Sequence, residues 1–172
     1  MVDQELVKSL RTAIEVENNG LISFLKFARS TKDLTGKNMF IRLAMDEHEH
    51  RLILEKQLNN LLDGGEWQNI EIPPSEVEQL LPKLRDKQKQ IKGESGMAEL
   101  DALQTAIDLE KKAASFFREE AAKATNPEVK KMFNRLAEWE DSHYDLIQAE
   151  LDYINNTGFW MGIPEFRMDG KF

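Results

Sequence analysis

The chain has 172 residues, a net charge of −8 and a pI near 5.0; 41% of its residues are hydrophobic, 31% are charged and none is cysteine. The length suits one domain with a sizeable core, the composition argues against disorder, and the acidic balance argues against binding nucleic acid through its phosphates. Without cysteine there are no disulfides, zinc ribbons, thiolate-held clusters or thiol catalysis, so any redox chemistry needs oxygen and nitrogen ligands or an organic cofactor.

In chain order, the opening MVDQELVKSL has no apolar core and no cleavage site, so no signal peptide is expected. No apolar run approaches about 18 residues, so no membrane span is expected either, and the cytoplasm is the expected location. A first helix is predicted from Leu6, Leu10, Ala13, Gly20, Leu21, Phe24 and Ala28, which recur at three- and four-residue steps. Thr31 to Gly36 form a joint, with Gly36 read as a stop. Phe40, Leu43, Ala44, Leu54, Leu58 and Leu61 mark a second helix.

A long crossover, about 63–97, follows; Ser75 and Glu78 form a capping box for a short helix within it, and Lys83 to Lys92 read as a solvated helix face. Leu103, Ala106, Ala113, Phe117, Ala121 and Ala124 mark a third long helix. Asn126 and Pro127, as N-cap and first helical residue, open a fourth carrying Met132, Phe133, Leu136, Ile147, Leu151 and Ile154. Short joints make each pair an antiparallel hairpin, and the long crossover permits a parallel neighbour. The expected fold is all-α: a four-helix bundle over 1–158, then an aromatic tail over 159–172. That tail, with Phe159, Trp160, Met161, Phe166 and Phe172, is expected to dock on the bundle or on a second subunit.

The halves repeat at a shift of 93 residues. Lys37, Met39, Phe40, Arg42, Leu43, Ala44, Glu47 and His50 fall on Lys130, Met132, Phe133, Arg135, Leu136, Ala137, Glu140 and His143 without a gap. Glu17 falls on Glu110, and the interval from the first Glu to the second is 30 residues in both halves. A duplicated helical hairpin is the simplest reading.

The apolar stripes are interrupted by one residue class. Glu17 lies between Ala13 and Gly20, and Glu110 between Ala106 and Ala113. Glu47 with His50, and Glu140 with His143, are i, i+3 pairs that share a helix face. Four inward carboxylates without an offsetting Lys or Arg in the stripes would cost several kcal/mol each. Two divalent metals would neutralise them, and four carboxylates with two imidazoles are the ligand set of di-iron and di-manganese bundles. His48 lies off this face and reads as a surface residue or as one standing behind the ligands. Phe24, Phe117 and Trp139 read as core or site wall, and Tyr144 as core packing or a hydrogen-bonding group near the site.

The repeated Ala-Ile-x-x-Glu (Ala13–Glu17, Ala106–Glu110) and Leu-Ala-x-x-Glu-x-x-His (Leu43–His50, Leu136–His143) resemble the rubrerythrin branch of the ferritin-like di-iron carboxylate superfamily. The resemblance covers both hairpins. It implies that Glu17, Glu47, His50, Glu110, Glu140 and His143 are metal ligands and catalytic residues, with Glu47 and Glu140 bridging. It also implies two Fe ions, with Mn as the other candidate, and reduction of hydrogen peroxide or dioxygen. The chain departs from the family in three respects. It has no rubredoxin domain, so electrons would come from a separate protein such as rubredoxin. Ile107 stands where many members carry a further Glu, and Phe24 and Phe117 stand where a Tyr is common. The alternatives are an iron-binding ferroxidase storage protein and a non-enzymatic helical interaction domain. A homodimer is expected from the apolar tail and the resemblance.

Overall fold

The computed structural model describes residues 3–68 and 97–162. The helix expected after Ser75, the Lys83–Lys92 run, Phe166 and Phe172 lie outside the described residues. Four long helices fill the rest: α1 (Gln4–Ser30), α2 (Leu34–Leu62), α3 (Met97–Lys123) and α4 (Pro127–Thr157).

Each of three helix starts has a side chain accepting the free backbone N–H groups of its first turn. Asp3 accepts from Glu5 and Leu6 N–H, Asp33 from Thr35 and Gly36, and Asn126 from Glu128. α4 ends on Gly158 in the left-handed region, φ 76°.

Gly36 is no stop. It lies inside α2, where a Cβ would stand 2.5 Å from Trp160 Cε2, so the missing side chain lets the indole lie on the helix. The chain turns instead at Thr31–Asp33, held by Glu99 Oε1, which accepts Lys32 N–H at 2.8 Å.

α1 packs on α2, α3 on α4, and α1 on α3. Ser9 near the start of α1 donates to Glu120 near the end of α3, while Glu99 at the start of α3 meets the end of α1. α1 and α3 are therefore antiparallel, and α2 and α3, the helices joined by the crossover, run the same way. That is the ferritin-like arrangement, and among the described residues there is no strand.

The core is in two parts that the repeat exchanges. One contains Phe24, Phe40, Leu43, Leu103, Ala106 and Ile147; the other contains Phe117, Phe133, Leu136, Leu10, Ala13 and Leu54, their counterparts at 93 residues. The correspondence reaches side-chain geometry. Phe24 stacks on Phe40 at 6.3 Å and 21°, and Phe117 on Phe133 at 6.3 Å and 24°. Ile107 is buried in the first of these clusters.

The start of the tail belongs to the same body. Trp160 and Met161 are buried in the first cluster; Trp160 Nε1–H donates to Glu99 Oε2 at 3.1 Å and Met161 N–H to Glu150 Oε2 at 2.9 Å. Phe159 is half exposed.

Candidate metal centre

The six residues singled out by the repeat meet in the middle of the bundle, one glutamate from each helix. Glu17, Glu47, His50, Glu110, Glu140 and His143 are each at most 3% exposed. They form two overlapping groups whose ligand atoms all lie within 4.8 Å of one another: Glu17, Glu47, His50 and Glu140, and Glu47, Glu110, Glu140 and His143. Glu47 and Glu140 belong to both groups, so those two carboxylates stand between the halves, as a bridging pair must.

The imidazoles face the carboxylates with Nδ1. His50 Nδ1 is 3.3 Å from Glu17 Oε2 and 3.3 Å from Glu140 Oε1. His143 Nδ1 is 3.3 Å from Glu47 Oε1 and 3.5 Å from Glu110 Oε1. The rings lie 5.8 Å apart and nearly parallel.

Burial raises Glu17, Glu47 and Glu110 well above the usual carboxylate range, and the charge of Glu140 adds to it. Burial acts on Glu140 in the same sense. The nearness of Glu110 and His50, with the charges of both histidines, outweighs it and holds Glu140 below the usual range. Burial alone would lower His143; the Glu110 charge, the Asp46 hydrogen bond and the nearby Glu47 raise it well above its ordinary value.

The donor set fits a pair of divalent metals. Buried Glu17 Oε1, Glu47 Oε1, Glu110 Oε1, both carboxylate oxygens of Glu140 and His143 Nδ1 have no hydrogen-bond partner. Six such atoms in one cluster are a large cost in a folded protein unless something accepts their lone pairs. All are oxygen or imidazole nitrogen, ligands suited to a hard-to-borderline divalent ion.

A cavity of about 160 Å³ opens onto Glu47, Glu110 and Glu140 through the seam between α1 and α3. The repeat pairs its walls: Val16 with Leu109, Asn19 with Lys112, and Gly20 with Ala113. At Gly20 a Cβ would lie 2.9 Å from Glu47 Oε2, so the glycine makes room for that carboxylate. Phe24 lines the cavity with an apolar ring.

The other residues singled out in the sequence divide cleanly. His48 is exposed, its Nδ1 3.2 Å from Arg51 Nη2. Trp139 is a wall of the site, its ring centroid 4.0 Å from that of His50. Tyr144 packs against the core cluster under Lys111 Nζ, 5.0 Å from the ring centroid, with its hydroxyl directed to Gln148. One site residue escaped the sequence reading: buried Asp46, whose Oδ2 is 3.1 Å from His143 Nε2. Its only signal was adjacency to Glu47.

The rubrerythrin family model matches residues 8–151, from the first turns of α1 to near the end of α4. The chain belongs to the rubrerythrin family. A hypothetical protein from Pyrococcus furiosus has a similar structure, with a TM-score of 0.64 at 20% identity over 90% of this chain and 93% of that one, which supports the fold. None of the curated proteins matches. The rubrerythrin match and the buried carboxylate–histidine cluster together are compatible with a di-iron site. No helix among the described residues is long and apolar enough to cross a membrane.

Proposed function

We propose that this rubrerythrin-family chain is a non-haem di-iron oxidoreductase that reduces hydrogen peroxide or dioxygen with electrons from a separate donor protein such as rubredoxin. The carrying observation is the pair of buried ligand groups sharing Glu47 and Glu140, with a small cavity opening onto that shared pair. Glu17 and His50 would hold one metal, Glu110 and His143 the other, and Glu47 and Glu140 would bridge. Two irons there would supply a pair of electrons and Lewis acidity to an O–O bond; manganese would satisfy the same ligands.

The chain's own residues set the access and the selectivity. A cavity of about 160 Å³ leaves room for a small substrate beside Glu47, Glu110 and Glu140. Val16, Leu109 and Phe24 give it apolar walls, while Asn19 and Lys112 stand at exposed positions. The packed core clusters on either side exclude bulk water from the remaining faces of the site.

We further propose a homodimer in the cytoplasm. Exposed Ile22, Leu25, Ile41, Met45 and Leu52 on the first hairpin correspond, at 93 residues, to Ser115, Arg118, Asn134, Glu138 and Asp145 on the second. An exposed apolar set that its own duplicate lacks supports an interface on the first hairpin.

The deciding experiment is metal per chain after anaerobic Fe(II) loading, removal of excess and exposure to air, followed by oxidation of reduced rubredoxin under peroxide. Two irons per chain with rubredoxin turnover is the expected result. Tens of irons in a particle of several hundred kDa would replace the proposal with iron storage. Near-zero iron would remove the metal reading altogether.

A further inference from the structure

The duplication is unequal one layer out from the ligands. The shift that carries His50 onto His143 carries Asp46 onto Trp139. Each of these stands against the histidine of the opposite hairpin. Asp46 Oδ2 lies 3.1 Å from His143 Nε2, both residues buried. The Trp139 ring lies 4.0 Å from the His50 ring at 49°.

The consequences for the two imidazoles differ. With Asp46 accepting from Nε2–H, His143 can offer its Nδ1 lone pair to a metal on the side of Glu47 and Glu110. His50 also turns Nδ1 to its carboxylates, but its Nε2 is buried without a hydrogen-bond partner, as is Trp139 Nε1. A metal-ligating imidazole is fixed in tautomer and made more basic by an acceptor on its outer nitrogen, and losing that acceptor costs about 10- to 100-fold in metal affinity.

We infer that the two metal positions are unequal: the one formed by Glu110 and His143 binds tightly, the one formed by Glu17 and His50 binds about 10- to 100-fold more weakly, and Asp46 is the positioning residue behind the difference. The inference rests on the reading that the cluster holds two metals. The His50 metal then fills last and leaves first, so a chain short of metal holds one ion.

The test is a Co(II) titration of the full chain stripped of metal, followed by visible absorption, with circular dichroism to confirm folding. Two successive steps of one equivalent are expected. His143→Ala removes the tight step and His50→Ala the weak one. Asp46→Ala weakens the tight step about 10- to 100-fold, so the two steps merge. Asp46→Asn keeps an acceptor oxygen without the charge and falls between. Trp139→Phe keeps two steps, because neither ring offers an acceptor.

Two equivalents binding in a single step to the unaltered chain would overturn the inequality and leave the two-metal reading intact. Unchanged steps in Asp46→Ala would overturn the role of Asp46, as would unchanged steps in Asp46→Asn should the alanine variant fail to fold. No Co(II) binding at all would overturn the metal reading and this inference with it.

Discussion

Glu150 gives a sharp test of the packing argument because it is buried, titratable and outside the metal cluster. It is fully buried on α4, with Oε2 accepting Met161 N–H at 2.9 Å and Oε1 without a partner. Burial pushes its carboxyl up to about 8; the Met161 hydrogen bond opposes this and the charge of Asp33 adds to it. Below about pH 4.5 both folded and unfolded chains carry the proton and the fold has its full stability. Between about 4.5 and 8 the unfolded chain has lost the proton while the fold retains it, so stability falls as pH rises. At about 1.4 kcal/mol per pH unit, the whole interval is worth about 4–5 kcal/mol.

Glu150→Gln keeps the acceptor for Met161 and cannot ionise. Its amide hydrogens bring a cost of about 1 kcal/mol where no acceptor meets them, so at about pH 5 the variant should equal or trail the parent. By about pH 8 to 9 it should lead by about 3 kcal/mol or more. Urea denaturation of both proteins across this range measures the difference. The cluster glutamates titrate in both proteins and cancel, since Glu150 is two helical turns beyond His143. A difference flat with pH would refute the claim that this carboxyl is folded away in neutral form.

Glu140→Ala removes a residue common to both ligand groups, so bound Fe(II) should drop from two per chain to well below one, read by metal analysis. Because Glu17, Glu47 and Glu110 are raised by burial, metal binding should displace protons: affinity should climb with pH, and loading should release protons in an unbuffered titration. Ala113→Leu should fill the seam cavity and slow both Fe(II) uptake and peroxide turnover about tenfold or more, as stopped-flow absorbance would show, with little change in final metal content. Gly36→Ala places a methyl 2.5 Å from the Trp160 ring and should cost about 1–3 kcal/mol, seen as a lower melting temperature and a red-shifted tryptophan emission as the indole leaves its seat.

The six clustered residues were legible because charge in an apolar stripe at helical spacing has few explanations, and the 93-residue repeat shows the same exception twice. Helix starts at Asn126 and Pro127 were legible for a local reason: cap and first-turn chemistry is written within four residues. Gly36 misled for the opposite reason. Its role depends on Trp160, 124 residues away, and a glycine needed for close approach looks like a glycine that ends a helix. Asp46 and Glu150 were hidden in another way. On a helix with 31% charged composition around it, an acid beside a ligand or at the edge of a stripe is indistinguishable from the solvated face until its neighbours are placed.

The repeat also shows which parts of the site constrain sequence hardest. Core residues exchange with their partners down to the stacking angle of the phenylalanine pairs, and all six clustered residues are retained in type. The layer that touches only the outer face of the imidazoles has diverged from Asp46 to Trp139, and the outward positions have diverged from apolar to polar. Divergence of that kind is what a duplicated hairpin permits: Glu47 and Glu140 belong to both groups, whereas a residue behind one histidine touches one group alone. Symmetry is therefore retained in the inward cluster and the core, and lost in the layer behind the imidazoles, where the inferred difference between the two positions would arise.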